Sequence, residues 1–387
     1  MVNYVFLSVY FYSVPNLRFN NNPYKKYNLY EFATRVTRKN KDNVSNLPLT
    51  ISAQYGLVDQ VSFFNKTVAS KDMSGYYLLK NGEFAYNKSY SNDYPWGAIK
   101  RLDLYNMGCL STLYICFKSN DNIVNSNYLV HYFESPKWHK QVADIAGEGA
   151  RNHGLLNIAV NDFFNTKHAV PTIENQIKIA RFLDLIEERI QTQIKIINDY
   201  KLLKKYITKS FIKQKGTSYL LSEIAELGRG RVISSAEISK QKNPIYPVYS
   251  SQTSNNGVMG YLDNYDYEGE YITWTTDGAN AGTVYYRNGK FNCTNVCGIL
   301  KIKNGYDAYY ISNILNCYTK KYVSTNLANP KLMNNVMANI KINLPSIERQ
   351  KYFSNILKAI EYRVKIEQDI KLNLVKQKVF LLKNMFL

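Results

Sequence analysis

Only a few stretches of this chain carry residues at spacings that could do chemistry. Asn243-Pro-Ile-Tyr is the nearest approach to the N-P-P-Y motif of adenine methyltransferases, but the second proline is missing. No glycine-rich cofactor loop follows a strand elsewhere, so the stretch reads as a turn. Residues 228–231, GRGR, lack the G-x-x-x-x-G-K-S/T pattern of a phosphate loop and read as a basic turn. Residues 275–282, TTDGANAG, put small, flexible residues beside Trp274 and Tyr285. A tight loop entering a groove and an ordinary hairpin turn both fit them. His131, His139, His153 and His168 have neither H-E-x-x-H nor triad spacing and read as structural. Cys293 and Cys297 are four apart, but no histidine or second cysteine pair completes a zinc site. With Cys109, Cys116 and Cys317 they read as free thiols in a reducing cytoplasm. No paired acidic residues beside a lysine mark a nuclease centre. What remains is the chemistry of binding.

The charge says what would be bound. The 387 residues carry a net charge of +19, with 45% apolar and 20% charged residues and a pI near 9.4. Such a chain suits a polyanion, and nucleic acid is the first candidate. The plainer reading is a basic protein from a lysine-rich proteome, consistent with abundant Asn, Lys, Ile and Tyr. Candidate DNA contacts in the first half are Arg35, Arg38, Lys39, Lys41, Lys88, Lys100, Arg101 and Arg151. In the second half they are Arg229, Arg231, Arg287, Lys290, Lys320 and Lys331. Lysine supplies charge to phosphate, and arginine can also fork onto guanine. Gln54, Asn87 and Asn280 are candidate amide readers of adenine.

These residues need elements to position them, and the strongest element is residues 171–215. Ile179, Leu183, Ile186, Ile190, Ile197 and Tyr200 recur mostly three and four apart, with Gln193 interrupting. That spacing predicts one amphipathic helix, entered at Pro171 with Thr172 as N-cap and stopped at Gly216. About 40 residues at ~1.5 Å each reach ~60 Å, so the stripe needs an equally long partner. The chain supplies one. At an offset of 174 residues, Pro171, Ile173, Glu174 and Gln176 meet Pro345, Ile347, Glu348 and Gln350. Leu183, Ile186, Glu187 and Arg189 likewise meet Leu357, Ile360, Glu361 and Arg363. An internal repeat of this kind predicts two long helices packed as an antiparallel coiled coil. Leu183, Ile186 and Ile190 with Leu357, Ile360 and Val364 are expected to form the shared seam.

The rest falls into matching halves. Residues 1–14 are an apolar leader of unclear role, without a basic n-region or cleavage site and too short to span a bilayer. Residues 15–170 hold short Tyr-, Phe-, Val- and Thr-rich runs and a helical stretch near 127–146 broken at Pro136. Residues 171–215 are the first long helix and 216–344 a second globular half. Residues 345–387 are the second long helix. The second half restarts the first: Tyr27, Leu29, Glu31 and Ala33 meet Tyr219, Leu221, Glu223 and Ala225. The fold class is therefore α+β, two mostly-β heads joined by two long helices.

PTIENQIKIARFLD and PSIERQKYFSNIL resemble the repeated helix openings of type I restriction–modification specificity subunits. In the second copy Phe353 stands where the pattern has Ile. LYEFATRVTRKN, LPLTISAQYGLVDQVSFFNK, GEFAYNKSYSNDYPWGAIKRLD and GCLSTLYICFK resemble that family's first target-recognition domain. The resemblance runs from about Pro15 to the C-terminus. It implies a cytoplasmic, non-catalytic subunit with no membrane association, whose two heads dock on double-stranded DNA and read a split sequence. The helices would act as spacer and carry two methyltransferase subunits, to which restriction subunits join. S-adenosylmethionine, ATP and Mg would then bind the partners and not this chain. Phe182, Tyr206, Phe211, Phe380 and Phe386 are expected to need cover from the methyltransferase subunits. A stand-alone DNA-modifying enzyme, or a coiled-coil interaction protein with incidental basic charge, are the alternatives.

Overall fold

The computed structural model describes residues 24–52, 55–66, 68–91, 94–146, 154–324 and 329–386. The leader at 1–14 and Gln54, Arg151 and His153 lie outside the described residues. The chain forms two compact units. One holds the residues up to Thr192 with Ile370–Leu387, and the other holds Gln193–Asp369. Each long helix, Ile173–Ile212 and Ile347–Asn384, gives part of its length to each unit.

In the first unit, strand Lys25–Asn28 pairs antiparallel with Lys167–Val170, so the head closes on the strand that precedes the long helix. A single turn, Leu29–Phe32, follows, and the Glu31 carboxylate accepts the Asn28 N–H at 2.6 Å. Ala33–Arg35, Ile115–Ser119, Phe84–Asn87 and Ala98–Arg101 form an antiparallel sheet in that order. Alternation along these strands separates two cores. Ala85 and Cys116 face a cluster with Leu79, Leu102 and Leu110. Phe84 and Tyr86 instead stack on Phe117 and Phe163 at 5.3 and 4.9 Å between centroids. The helix Ser126–Glu134 ends before a short turn at Pro136–Trp138, and His139–Ile145 resumes it, the break expected at Pro136.

The second unit repeats this plan with a larger sheet. Thr217–Leu220 pairs with Lys341–Leu344, and Glu223 accepts the Leu220 N–H at 2.7 Å, as Glu31 does for Asn28. The runs read as strands become Ala225–Arg229, Cys297–Ile302, Tyr267–Thr275, Val284–Cys293, Tyr246–Tyr249 and Val258–Leu262, in sheet order. The helix Ala308–Tyr318 lies on the central pair and buries Tyr310, Ile311, Ile314 and Leu315 with Trp274 and Ile272.

One side chain fastens each head to its long helix. Gln176 Nε2 donates to the Pro171 carbonyl at 2.8 Å and the Ile123 carbonyl at 3.2 Å. Its Oε1 accepts the backbone N–H of Asn125, the N-cap of the head helix, at 2.7 Å. Gln350 does the same in the second unit. It donates to the Pro345 carbonyl at 2.8 Å and accepts from the N-cap residue Asp307 at 3.0 Å. The matched Pro and Gln of the sequence repeat are thus one hydrogen-bonded joint made twice.

The long helices run antiparallel. In the first unit Lys378 Nζ meets Glu187 at 2.7 Å, and in the second Lys204 meets Glu361. The two pairs are equivalent, since both partners are related by the 174-residue offset. Burial pushes the Glu187 carboxyl up, but hydrogen bonds from Lys378 and Gln191 outweigh it and hold its pKa below the usual range. Gln193, the interruption in the apolar stripe, is buried and donates to the backbone carbonyl of Glu367 at 3.3 Å and to its carboxylate. Glu367 is also buried and pairs with Arg363 at 2.5 Å.

This pairing corrects the expected seam. Leu183, Ile186 and Ile190 are buried in the first unit, whereas Leu357 and Ile360 are buried and Val364 half-buried in the second. Antiparallel packing sets the start of one helix against the end of the other, so equivalent residues face each other only near Gln193 and Glu367. The expected need for outside cover is also corrected at two positions. Phe211 stacks on Phe353 at 3.8 Å, and Phe386 packs on Tyr128 and Tyr132 at 5.4 and 5.7 Å. Phe182, Tyr206 and Phe380 are 39%, 73% and 46% exposed.

Replacing Gln193 with Leu leaves the buried Glu367 carboxylate without its amide donor and should cost about 1–3 kcal/mol in urea unfolding. Replacing both Gln193 and Glu367 with Leu should recover most of that loss or exceed the parent, since a fully apolar site needs no partner. A second expectation concerns pH. His168 is buried, its Nδ1 lies 2.9 Å from the Tyr132 hydroxyl, and its Nε2 lies 2.8 Å from Thr166 Oγ1. Burial lowers its pKa from 6.5 to about 4. Because the folded pKa is depressed, this group's contribution is complete above pH ~6.5 and is lost as pH falls toward ~4. It amounts to on the order of 3 kcal/mol. Unfolding midpoints measured between pH 7 and 4.5 should fall with acidity, and His168→Gln should flatten that fall.

Candidate nucleic-acid interface

In the first head the basic stretch splits by geometry. Arg38 pairs with buried Glu83 at 2.7 Å, and that carboxylate also accepts the Lys80 N–H at 2.8 Å. The Arg38 charge is therefore spent on a carboxylate inside the fold. Arg35, Lys39 and Lys41 are exposed. Lys39 Nζ sits 4.4 Å from the centre of the Tyr77 ring and donates to the Gly75 carbonyl at 2.8 Å, while Arg35 approaches the Tyr77 hydroxyl at 3.5 Å. Two cations thus gather around one exposed edge of a buried tyrosine, with Lys41 following in the next turn. Lys100 pairs with Glu134, and Arg101 binds Asp103, Ser126 and Asn127 at 2.6, 2.9 and 2.7 Å. These two tie a strand to the head helix. Lys88 donates to the Ile158 carbonyl at 3.3 Å, and Asn87 is half-buried beside it.

In the second head the GRGR stretch is a clasp. Arg229 binds Asn334 at 3.1 Å, and Arg231 pairs with Glu237 at 2.6 Å and Asp266 at 3.1 Å. The Glu237 hydrogen bond leads the effects that raise the Arg231 pKa. Gly230 passes so close to Cys293 that a Cβ there would lie 2.0 Å from its carbonyl oxygen. Arg287 is only 4% exposed, so it is not a surface contact as the sequence reading had it. Lys290 reaches Glu268 at 3.7 Å and lies over the Tyr265 ring. Residues 275–282 make the connection between strands Tyr267–Thr275 and Val284–Cys293. Lys320 donates to the Ala281 carbonyl at 3.0 Å, and Lys331 reaches Asp277 at 3.6 Å, so both cations stand at this connection. Asn280 donates from its amide to Thr253 at 3.1 Å. That contact brings in a second loop, 250–257, which the sequence reading passed over although its Asn-Asn-Gly is a turn signal.

The motifs weighed for catalysis take structural places. Asn243 donates its N–H to Asp263 at 2.8 Å in the turn before strand Tyr246–Tyr249. His131 binds Asp184 at 2.7 Å and joins the head helix to the long helix. Burial lowers its pKa against the opposing pull of that carboxylate. Burial of the Cys116 thiol pushes its pKa up to about 12, too high for a nucleophile near neutral pH. Among the described residues no cluster of His, Cys, Asp and Glu is placed to hold a metal ion, and no helix is long and apolar enough to cross a membrane.

A family model described as a type I restriction modification DNA specificity domain matches residues 216–377. A Mycoplasma pneumoniae protein named as a type I specificity subunit is 39% identical over 196 residues, covering 49% of this chain and 81% of that protein. The specificity subunit of the type I restriction enzyme MpnII, from the same organism, is 42% identical over 146 residues, covering 37% of this chain and 43% of that subunit. The crystal structure of the S subunit of a type I restriction–modification system from M. genitalium superposes with a TM-score of 0.58 at 15% identity. It covers 97% of this chain and 99% of that one. A chain from a structural study of assembly in a type I system gives a TM-score of 0.59 at 16% identity, covering 93% and 96%. At such identities these two likenesses concern the fold.

Removing charge should separate the two kinds of basic residue. Arg35→Ala, Lys39→Ala and Lys41→Ala should each weaken DNA binding evenly across sequences and lower the salt slope by about one where a phosphate contact is lost. Their folding should change by less than about 0.5 kcal/mol. Arg38→Met should instead destabilise the first head by roughly 3 kcal/mol, because it strands the buried Glu83 carboxylate. Titrations over a salt series, paired with denaturant melts, would show both effects. Equal loss of binding and stability at all four positions would contradict the division.

Proposed function

The chain belongs to the type I restriction–modification specificity subunits, and from that premise we propose that its two heads each dock on double-stranded DNA and read one part of a split target. The observation that carries this reading is the repeated joint. Gln176 and Gln350 hold two differently built heads by the same hydrogen bonds to the same point on each head helix. A frame kept constant beneath divergent surfaces suits one mode of docking with two specificities.

In this reading the chain does no chemistry. Methylation of adenine and ATP-driven translocation and cleavage belong to two methyltransferase subunits and to restriction subunits, which bind S-adenosylmethionine, ATP and Mg. The exposed apolar residues of the long helices, among them Phe182, Leu185, Leu202, Tyr206 and Phe380, support such partners. Large apolar side chains left exposed on otherwise charged helices fit surfaces that a partner covers. The excess of Lys and Arg supports a DNA-bound state whose affinity falls steeply with salt.

Exchanging residues 217–344 for the equivalent part of a relative should change one half of the recognised sequence and leave the other intact. Mapping adenine methylation in cells with the parent or the exchanged gene reads this directly. Changes in both halves, or loss of methylation from a complex that still assembles, would refute the modular reading.

A further inference from the structure

The second head carries a loop whose construction goes beyond turning the chain. Residues 250–257 connect strand Tyr246–Tyr249 to the edge strand Val258–Leu262. Three consecutive residues there are left-handed, with φ of 47° at Asn255, 53° at Asn256 and 84° at Gly257. Such a run persists only where the surroundings over-determine it. Here they do. The Ser250 N–H donates to the Gly257 carbonyl at 2.9 Å, and the Gln252 amide donates to the Val258 carbonyl. Arg287 Nη2 donates to the Asn256 carbonyl at 2.9 Å from below, and Asn280 fastens Thr253 to the neighbouring connection. The backbone is held on every side, yet Asn255 and Asn256 are exposed. Among the described residues no hydrogen bond occupies either side-chain amide.

Beneath the loop, Arg287 presents an independent oddity. Its guanidinium lies between the rings of Tyr249 and Tyr285, at 3.5 and 4.4 Å from their centres, and its Nε donates to Thr273 at 3.1 Å. Among the described residues no carboxylate pairs with it. Burial lowers its pKa, the mark of a cation short of compensation. A buried charge without a counter-ion is costly to the fold, and an anion arriving at this face would offset that cost.

We infer that the loop at 252–256 is the base-reading element of the second head, with Asn255 and Asn256 presenting free amides to base edges and Arg287 acting as a positioning residue beneath them. This rests on the DNA-recognition reading above. An asparagine amide carried on a firmly held backbone matches the adjacent acceptor and donor that adenine shows in the major groove. Lys320, at the joined connection and without a carboxylate partner among the described residues, adds positive charge for the phosphate backbone on the same face.

The plainer account is that asparagine stands here only because it tolerates positive φ. Asn255→Gly and Asn256→Gly decide between the two, because glycine keeps the turn and deletes the amide. The complex with its partner subunits would be purified and its target mapped by adenine methylation. Binding would then be competed with duplexes altered at one base pair each. The inference requires a roughly ten- to hundred-fold loss of discrimination at one or two positions of a single half. Asn255→Asp and Asn256→Asp, which also tolerate the turn, should turn the preference at those positions away from adenine. Arg287→Gln should lower discrimination at the same positions while leaving the salt slope unchanged, and Arg287→Lys should restore part of that discrimination. Base-by-base profiles in which every variant matches the parent would overturn the inference and leave the DNA-recognition reading standing. A parent complex that shows no preference for its mapped sequence would overturn both.

Discussion

A helix of forty residues with one apolar stripe has no stable place in water, and everything else in this chain follows from how that stripe is covered. The cover is a second copy of the same helix running the other way. Antiparallel pairing of two copies has a centre of symmetry in sequence, where a position meets its own equivalent. That position is Gln193 facing Glu367, related by the repeat offset itself. Away from it a contact can occur twice, as Glu187 with Lys378 and Glu361 with Lys204 do. A buried polar pair at the centre penalises any slip of one helix along the other, since a slip would strand a carboxylate among apolar side chains.

The same doubling organises the heads. Each begins with a strand that pairs back to the strand before a long helix, and each begins its first turn under a glutamate that accepts the preceding N–H. Each ends at a glutamine whose amide satisfies the N-cap of the head helix and the proline carbonyl at the helix entrance. These few polar side chains define where a head is held. The strands between them are free to differ, and they do: among the described residues the first head has a four-stranded sheet with two satellite pairs, and the second a six-stranded sheet.

What could be read in advance follows from this division. The joints are local or repeated, so Pro171, Gln176, Pro345 and Gln350 stand out in one sequence, as do Tyr27 to Ala33 against Tyr219 to Ala225. The seam was misjudged because a repeat says which positions are equivalent and not which positions touch. Helix direction decides the second question, and it enters only through pairs such as Lys378 with Glu187. Cover for Phe386 was missed for a related reason: it comes from Tyr128 and Tyr132, on a head helix more than 250 residues earlier in the chain.

The basic residues show where composition stops being informative. Net charge points to a polyanion, but a charge available to DNA is one not already spent inside the fold, and that depends on partners distant in sequence. Arg38 and Lys39 are neighbours, yet one pairs with buried Glu83 and the other is an exposed residue lying over the Tyr77 ring without a carboxylate partner among the described residues. Arg229, Arg231 and Arg287 looked alike in sequence and became a bridge to Asn334, an ion-pair clasp and a buried stack. Amides are harder still, because an asparagine in a turn serves backbone geometry and recognition with the same atoms. Asn255 and Asn256 are distinguishable from ordinary turn residues only through the hydrogen bonds that already fix their backbone, which make the side chains superfluous to the turn they occupy.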